Sequence, residues 1–238
     1  MNTRSRPGRS KAEASLRQAI EQGLAQLALD ASAATSLEAY VQELQRWNAA
    51  YNLTAVRDPG EMVVRHLLDS LSIVAAIESV MASCALAPRL LDVGSGAGLP
   101  GIPLALVRPQ WSLALLDSNG KKARFLRHVQ RSLTLTNVKV IEGRVEACEG
   151  EEAFPLIVSR AFASLADFVQ LTGRVLAADG RWLAMKGKVA PEEMQALPPD
   201  VAIEGLHDLQ VPGLREARSL VVIRRHEVVL KALRAKTV

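Results

Sequence analysis

The spacing of apolar residues divides the chain near residue 88. From about Lys11 to Ser83, apolar positions recur three or four residues apart, which predicts amphipathic helices. Segments 30–35 and 52–60, which hold small, polar and turn-forming residues, separate three helices, and the third of these spans roughly 62–82. Ser36 is placed to cap the second helix. No stretch before residue 89 has the alternation of a strand.

After residue 88, short apolar runs alternate with helical patterns, which predicts a parallel sheet covered by helices on both faces. Two later runs, joined by a turn at Pro212 and Gly213 with no full helix between them, predict an antiparallel hairpin. The predicted strands are 89–93, 112–116, 138–141, 156–159, 181–185, 203–211 and 219–225, with helices near 101–108, 119–133, 146–149 and 164–177.

These patterns predict an α/β protein with a Rossmann-like, mostly parallel seven-stranded sheet, a C-terminal antiparallel hairpin and an N-terminal helical extension. We expect residues 1–83 to form a basic tail and a helical extension, packed on a catalytic domain of residues 84–238. The 49% hydrophobic composition is sufficient for a sizeable core.

The charge of the chain lies mainly at its beginning. The net charge is +4, and the excess equals the four basic residues that precede the first acid, namely Arg4, Arg6, Arg9 and Lys11. Such a tail either contacts phosphate or is simply solvated. There is no export signal and no uninterrupted apolar run near the roughly 20 residues of a membrane span. The two cysteines occupy unrelated contexts, so we expect a soluble cytoplasmic protein without a disulfide framework or a metal site.

The strongest local motif is a glycine loop that follows the first predicted strand. Gly94, Gly96 and Gly98 lie between that strand and a helix, where missing Cβ atoms permit tight turns and close approach of a ligand. The motif alone is ambiguous, because Gly96, Gly98 and Gly101 also have the dinucleotide spacing G-x-G-x-x-G. A packing turn without a ligand is the alternative.

Two acids favour S-adenosylmethionine as the cofactor. Asp92 stands two residues before the first glycine, the usual methyltransferase position for an acid near the methionine or ribose part of the cofactor. Asp117 ends the second strand, where a carboxylate accepts hydrogen bonds from ribose hydroxyls. NAD domains also use this second acid, so an NAD-dependent reductase is an alternative. The C-terminal hairpin and the lack of a Tyr-x-x-x-Lys pair argue against it.

Five motifs follow one another along the chain: 47–54 (WNAAYNLT), 66–70 (HLLDS), 92–103 (DVGSGAGLPGIP), 117–122 (DSNGKK) and 159–161 (SRA). In this order, and over about residues 37–225, the sequence resembles the RsmG (GidB) family. The resemblance implies a bacterial class I methyltransferase that uses S-adenosylmethionine to methylate N7 of a guanine in a 16S rRNA loop near the decoding centre. It also implies cofactor contacts at Gly94, Leu99, Val145, Glu146 and Arg160.

Methylation of guanine N7 suits this sequence, because the N7 lone pair needs no deprotonation and no general base is evident. N7 is hidden in the deep groove of an RNA helix, so the target is a loop nucleotide or a splayed-out base. We predict RNA contacts at Lys121, Arg124, Arg144 and Lys186, and catalytic roles for Arg160 and Lys186. A solvated polar helix face is the alternative for Lys121 and Arg124.

Other interpretations stay open from the sequence. The substrate is naked 16S rRNA or the small ribosomal subunit, and a methyltransferase acting on another RNA or on a protein is the alternative. A non-catalytic RNA-binding module would keep the basic residues but has no reason to keep both acids. His66 and Asp69, three residues apart, form either a catalytic pair or a link between a helix and the sheet. We expect a monomer.

Overall fold

A computed structural model describes residues 7–148, 153–160, 162 and 164–226, and its centre is one seven-stranded sheet with the order β3-β2-β1-β4-β5-β7-β6. The strands β1 to β5 are parallel, and β7 runs antiparallel between β5 and β6. The predicted fold is thereby confirmed. The strands are β1 (Arg89–Val93), β2 (Ser112–Asp117), β3 (Val138–Glu142), β4 (Phe154–Ser159), β5 (Leu176–Lys186), β6 (Val201–Asp208) and β7 (Ser219–Arg225).

Helices precede the sheet and connect its strands. The α-helices are α1 (Pro7–Gln26), α2 (Ala34–Tyr51), α3 (Pro59–Met62), α4 (Asp69–Leu71), α5 (Val74–Cys84), α6 (Gly101–Val107), α7 (Gly120–Ser132), α8 (Leu165–Thr172) and α9 (Pro191–Gln195). A π-helical segment (Val63–Leu68) joins α3 to α4, and short 3-10 helices span Ala31–Ala33, Val145–Cys148 and Gly173–Val175.

The N-terminal helix boundaries differ from the prediction in two places. Ser36 does not cap α2, because Asp30 caps the 3-10 helix Ala31–Ala33 and α2 follows directly from it, which places Ser36 inside the helix. The third predicted helix begins earlier, at Pro59, with the Asp58 side chain accepting the Glu61 amide. The basic residues 1–6 lie outside the described residues.

The predicted helix over 164–177 is too long, and the strand after it is longer than predicted. α8 ends at Thr172, and β5 begins at Leu176, which pairs with Phe154 of β4. Leu176 and its neighbours continue the apolar pattern of α8, but pairing with β4 gives their backbone groups sheet hydrogen bonds instead. The short helix α9, before β6, was not predicted.

The sheet separates two hydrophobic cores. On one face the N-terminal helices, α6 and α7 share a core that includes Leu37, Leu67 and Phe125. On the other face α8 packs through residues such as Phe168 against Trp182 of β5. The N-terminal extension therefore buries its apolar side on the sheet domain; the boundary between residues 83 and 84 stays a prediction.

One helical run, Pro59–Cys84, is long and apolar enough by length and composition to cross a membrane, and half of its most apolar window is buried inside the protein. Core helices pass the same test. Its Leu67, Leu71 and Ile77 are fully or almost fully buried in the core, while its Arg65 and Asp69 line the cleft described below.

Candidate active site

Two cavities lie at the carboxyl edge of the parallel strands, where the chain leaves β1 and β4 toward opposite faces of the sheet. Such a switch point is the usual ligand site of open α/β sheets. The larger cavity, the cleft, has a volume of about 550 Å³ and is lined by the glycine loop, the N-terminal extension and the ends of β4 and β5. The smaller cavity, about 360 Å³, lies over the ends of β2 and β3. Gly94 borders both.

The glycine loop needs left-handed backbone at all three predicted glycines. Gly94, Gly96 and Gly98 have φ values of 72°, 59° and 88°. Gly94 is exposed and both Gly94 and Gly96 line the cleft, so the backbone of both is accessible from this cavity. Gly98 is buried and lines neither cavity, and a Cβ added to it would lie 2.4 Å from Ile102 Cγ1. The structure thus places Gly98, predicted to bind the cofactor, in the packing of the loop against α6.

Asp92 connects the end of β1 to the start of α6, beneath the glycine loop. Its side chain is fully buried, and its Oδ2 accepts the Gly101 amide at 2.9 Å, at the start of α6. Burial raises the pKa of Asp92 to about 7, although the Gly101 hydrogen bond acts in the opposite direction. Asp92 lines neither cavity, and its Oδ2 faces the start of α6, so its expected place near the cofactor stays a prediction.

Asp117 ends β2 and lines the smaller cavity, as its predicted ribose role requires. Its two oxygens accept the amides of Gly96 and Asn119, each at 2.8 Å. Each carboxylate oxygen has a second lone pair, so two ligand hydroxyls can still be accepted. The same side chain therefore connects the glycine loop with the turn into α7 and offers acceptors to the cavity.

The rest of the smaller cavity combines apolar walls with a polar rim. Leu116, Val145 and Leu171 are among the apolar residues that line it. The predicted Arg144 and Glu146 also line it; both are exposed, and Glu146 forms an ion pair with Arg174 at 3.0 Å.

The N-terminal extension forms one wall of the cleft. The Tyr40 hydroxyl of α2 donates to the Ala97 carbonyl of the glycine loop at 2.8 Å. The Asn48 amide group bridges the backbone of Thr54 and Val56, at 2.9 and 3.0 Å, and both of these residues line the cleft. These polar contacts fix the loop after α2 against the sheet domain. The WNAAYNLT motif contained these residues, but its sequence did not indicate which of them reach the cleft.

His66 lies in the π-helical segment and lines the cleft. Its Nε2 is hydrogen-bonded to Thr54 Oγ1 at 2.7 Å. Burial and the nearby Arg160 cation lower the pKa of His66, so the ring is neutral near pH 7. Irregular π segments within helices are frequent at functional sites.

Asp69 joins the extension to the sheet. Its Oδ2 accepts from Arg160 Nη1 at 2.9 Å and its Oδ1 from Arg218 Nε at 3.0 Å. His66 contacts Thr54 instead, so of the two roles considered for His66 and Asp69, the geometry shows the link between helix and sheet. Arg218 was not predicted from the sequence. This residue directly precedes β7, and only the antiparallel position of β7 in the sheet brings it to the carboxyl edge of the parallel strands.

The other predicted basic residues separate into two groups. Lys186 lines the cleft, where its Nζ forms an ion pair with Glu193 at 2.5 Å and donates to the Phe162 carbonyl at 3.2 Å. Lys121 and Arg124 are exposed on α7 and line neither cavity. Their RNA-binding roles stay predictions. Among the described residues, no group of three or more histidine, cysteine or acidic side chains is arranged to hold a metal ion.

The sheet closed by an antiparallel hairpin, with a glycine loop and an acid at the ends of β1 and β2, defines a class I methyltransferase. A solved structure with this fold is the ribosomal protein L11 methylase from Lactobacillus delbrueckii subsp. bulgaricus. It has a TM-score of 0.51 and 19% sequence identity, over 66% of this chain and 79% of that one.

Sequence comparisons give the family. The profile described as rRNA small subunit methyltransferase G matches residues 33–222. A protein named ribosomal RNA small subunit methyltransferase G from Pseudomonas aeruginosa is 52% identical over 84% of this chain and 90% of its own length. Its namesake from Chromohalobacter salexigens is 50% identical over 87% and 96%. This chain belongs to the rRNA small subunit methyltransferase G family.

Proposed function

We propose that this protein transfers the methyl group of S-adenosylmethionine to N7 of a guanine in a loop of 16S rRNA. The observation that carries the proposal is the junction of the two cavities at Gly94. The smaller one is partly apolar and has the Asp117 acceptors, as a nucleoside requires, and the cleft is lined by cationic side chains. Membership of the rRNA small subunit methyltransferase G family supports ribosomal RNA as the substrate.

The residues of the smaller cavity fit the adenosine part of the cofactor. A Cβ on Gly96 would meet only Gly94 O at 3.8 Å and Lys122 Nζ at 3.9 Å, so the glycine leaves open space beside Asp117. Asp117 would accept the ribose hydroxyls, and Val145 and Glu146 would frame the adenine. Gly94 and Leu99 border the cleft, where the methionine end would lie.

S-adenosylmethionine, when bound, supplies an electrophilic methyl group on a sulfonium sulfur. The residues of this chain orient the two reactants and limit the access of water, which together provide much of the rate enhancement in such transfers. We assign Arg160 to this task, because it lines the cleft directly after β4. The neutral His66 is not needed as a base, since N7 attacks through a lone pair.

The target nucleotide would enter the cleft in an unstacked conformation, with its neighbours held by basic residues. Lys186 and Arg144 line the two cavities, and Lys121 and Arg124 extend the positive surface over α7. A base read on its Hoogsteen edge offers guanine O6 as an acceptor beside N7. Because the proposed substrate is ribosomal, we propose that the enzyme acts in the cytoplasm. One chain supplies the residues of both cavities, so we propose a monomer.

The test is transfer of labelled methyl from S-adenosylmethionine to small ribosomal subunits and to naked 16S rRNA, both from cells that lack this enzyme. Mass spectrometry of the digested RNA should place the label in 7-methylguanosine. Label in another nucleoside, or in ribosomal protein only, would overturn the proposal. A difference between subunits and naked rRNA would identify the form of the substrate.

A further inference from the structure

A cluster of charged side chains that links the N-terminal extension to the sheet lies on the wall of the cleft. Asp69 is 4% exposed, and each of its carboxylate oxygens accepts from a different arginine, Arg160 and Arg218. The three residues come from the start of α4, the end of β4 and the residue before β7. All three line the cleft.

The cluster has more positive charge and more donors than a structural link requires. One carboxylate faces two guanidinium groups, so one positive charge is uncompensated within the trio. Arg160 uses Nη1 alone, toward Asp69 and the Arg65 carbonyl, while Arg218 uses Nε and Nη1. Among the described residues, Nε and Nη2 of Arg160 and Nη2 of Arg218 have no hydrogen-bond partner, although an arginine has five N–H groups to place.

A second bridge between the same parts of the chain provides a comparison. Arg65 and Glu216 form an ion pair at 2.9 Å, with side chains 41% and 50% exposed. This pair also joins the π-helical segment to the loop before β7, but Glu216 does not line the cleft. The fold thus has one exposed bridge that neutralises its charges and one more buried bridge whose arginines keep spare donors and line the cleft.

We propose that Asp69 is a positioning residue, which fixes Arg160 and Arg218 as a pair of donors for an oxygen acceptor of the RNA. The acceptor is a phosphate oxygen next to the target nucleotide or O6 of the target guanine. Both arginines bind better when their side chains are already ordered, since less rotamer freedom is lost on binding. This proposal rests on the proposed function for the identity of the ligand.

The experiment compares Asp69→Asn with Glu216→Gln. Asp69→Asn keeps the size of the side chain but removes the charge that orders both arginines. We expect KM for the small subunit to rise about tenfold, in line with the loss of charge-assisted positioning, and kcat to fall by a smaller factor, because Arg160 also orients the reactants. The thermal midpoint should stay near the wild-type value. Arg160 is also an expected cofactor contact, so affinity for S-adenosylhomocysteine is measured as well, and a loss there as large as the rise in KM would overturn the proposal. Glu216→Gln, the control, removes an exposed carboxylate that lies near Arg218 without a hydrogen bond to it, so this change should raise KM much less than Asp69→Asn. Equal KM values for the two variants would overturn the proposal.

A second variant separates folding from positioning. If Asp69→Asn loses its thermal transition, Arg218→Ala tests the pair, because Arg218 is 25% exposed and its removal leaves Asp69 paired with Arg160. RNA binding by this variant is measured by fluorescence anisotropy, and the probe is a labelled single-stranded oligoribonucleotide that contains one guanine. Weaker RNA binding with a normal thermal midpoint supports the proposed pair of arginine donors, and RNA binding at the wild-type level overturns it.

The salt dependence of this binding identifies the acceptor. Loss of a phosphate contact lowers the slope of log K against log salt by about 0.7 for a single strand. Loss of a contact to O6 leaves the slope unchanged and removes the preference for guanine over adenine at the target position. This assay needs no methyl transfer, so it distinguishes a failed arginine pair from a failed proposed function.

Discussion

Replacing Asp117 with alanine should weaken cofactor binding on the order of 100-fold, since two charge-assisted hydrogen bonds to the ribose, at about 1.5 kcal/mol or more each, are lost. The same change leaves the Gly96 and Asn119 amides without their acceptor. The effect on the glycine loop therefore adds to the direct loss, and 100-fold is a lower bound.

The assay is titration calorimetry of S-adenosylhomocysteine into wild type, Asp117→Ala and Glu142→Gln. Glu142 is the matched control: it ends β3 directly opposite Asp117 in the sheet register, but its carboxylate pairs with Arg127 at 2.7 Å and does not line the smaller cavity. Glu142→Gln should bind like wild type. If Asp117→Ala binds within a factor of about two of that control, the ribose role is refuted, because even one neutral hydrogen bond exceeds this difference.

Three further predictions concern the frame of the site. Gly98→Ala should destabilise the fold by about 1–3 kcal/mol in urea unfolding, since alanine is strained at φ 88° and its Cβ would clash with Ile102; a wild-type midpoint would contradict this packing role. Tyr40→Phe should cost about 1 kcal/mol and loosen the extension, because the Ala97 carbonyl loses its donor; unchanged protection from proteolysis between residues 52 and 58 would argue against it. The folded state holds the Asp92 proton more tightly than the unfolded chain, because the pKa of Asp92 rises from 3.8 to about 7; its contribution to stability should therefore fall as pH rises from about 4 to about 7. Unfolding of Asp92→Asn and wild type across that range should show this fall in the wild type only, and parallel curves would refute it.

The fold was largely predictable from the sequence, because its elements follow from local periodicity. Short runs that are apolar on both faces, such as 89–93 and 112–116, indicate strands of a covered parallel sheet, and both were found at those positions. Boundaries were less predictable where apolar residues suit either structure. Leu176 continues the helical pattern of α8, and only the neighbouring strand β4 determines that it lies in β5.

The residues of the site were also predictable only in part. The positions of Asp117, Gly94 and Gly96 were predictable, because a loop between a buried strand and a helix must lie at the carboxyl edge of the sheet. The relation of Asp92 and Gly98 to the cofactor stays a prediction, since spacing alone does not reveal which side of the loop faces the ligand. The structure places both on the packed side, against α6.

The sequence by itself determined the succession of strands and helices along the chain, the glycine loop and the family. Each of these is recognised from short segments, whose residues are close together in the chain. What only the tertiary structure decided is the cluster of Asp69, Arg160 and Arg218, whose members are as much as 149 residues apart. Local periodicity contains no information about such a contact. It exists because β7 enters the sheet antiparallel beside β5, which brings its first residues to the edge where β4 ends and where the N-terminal extension packs.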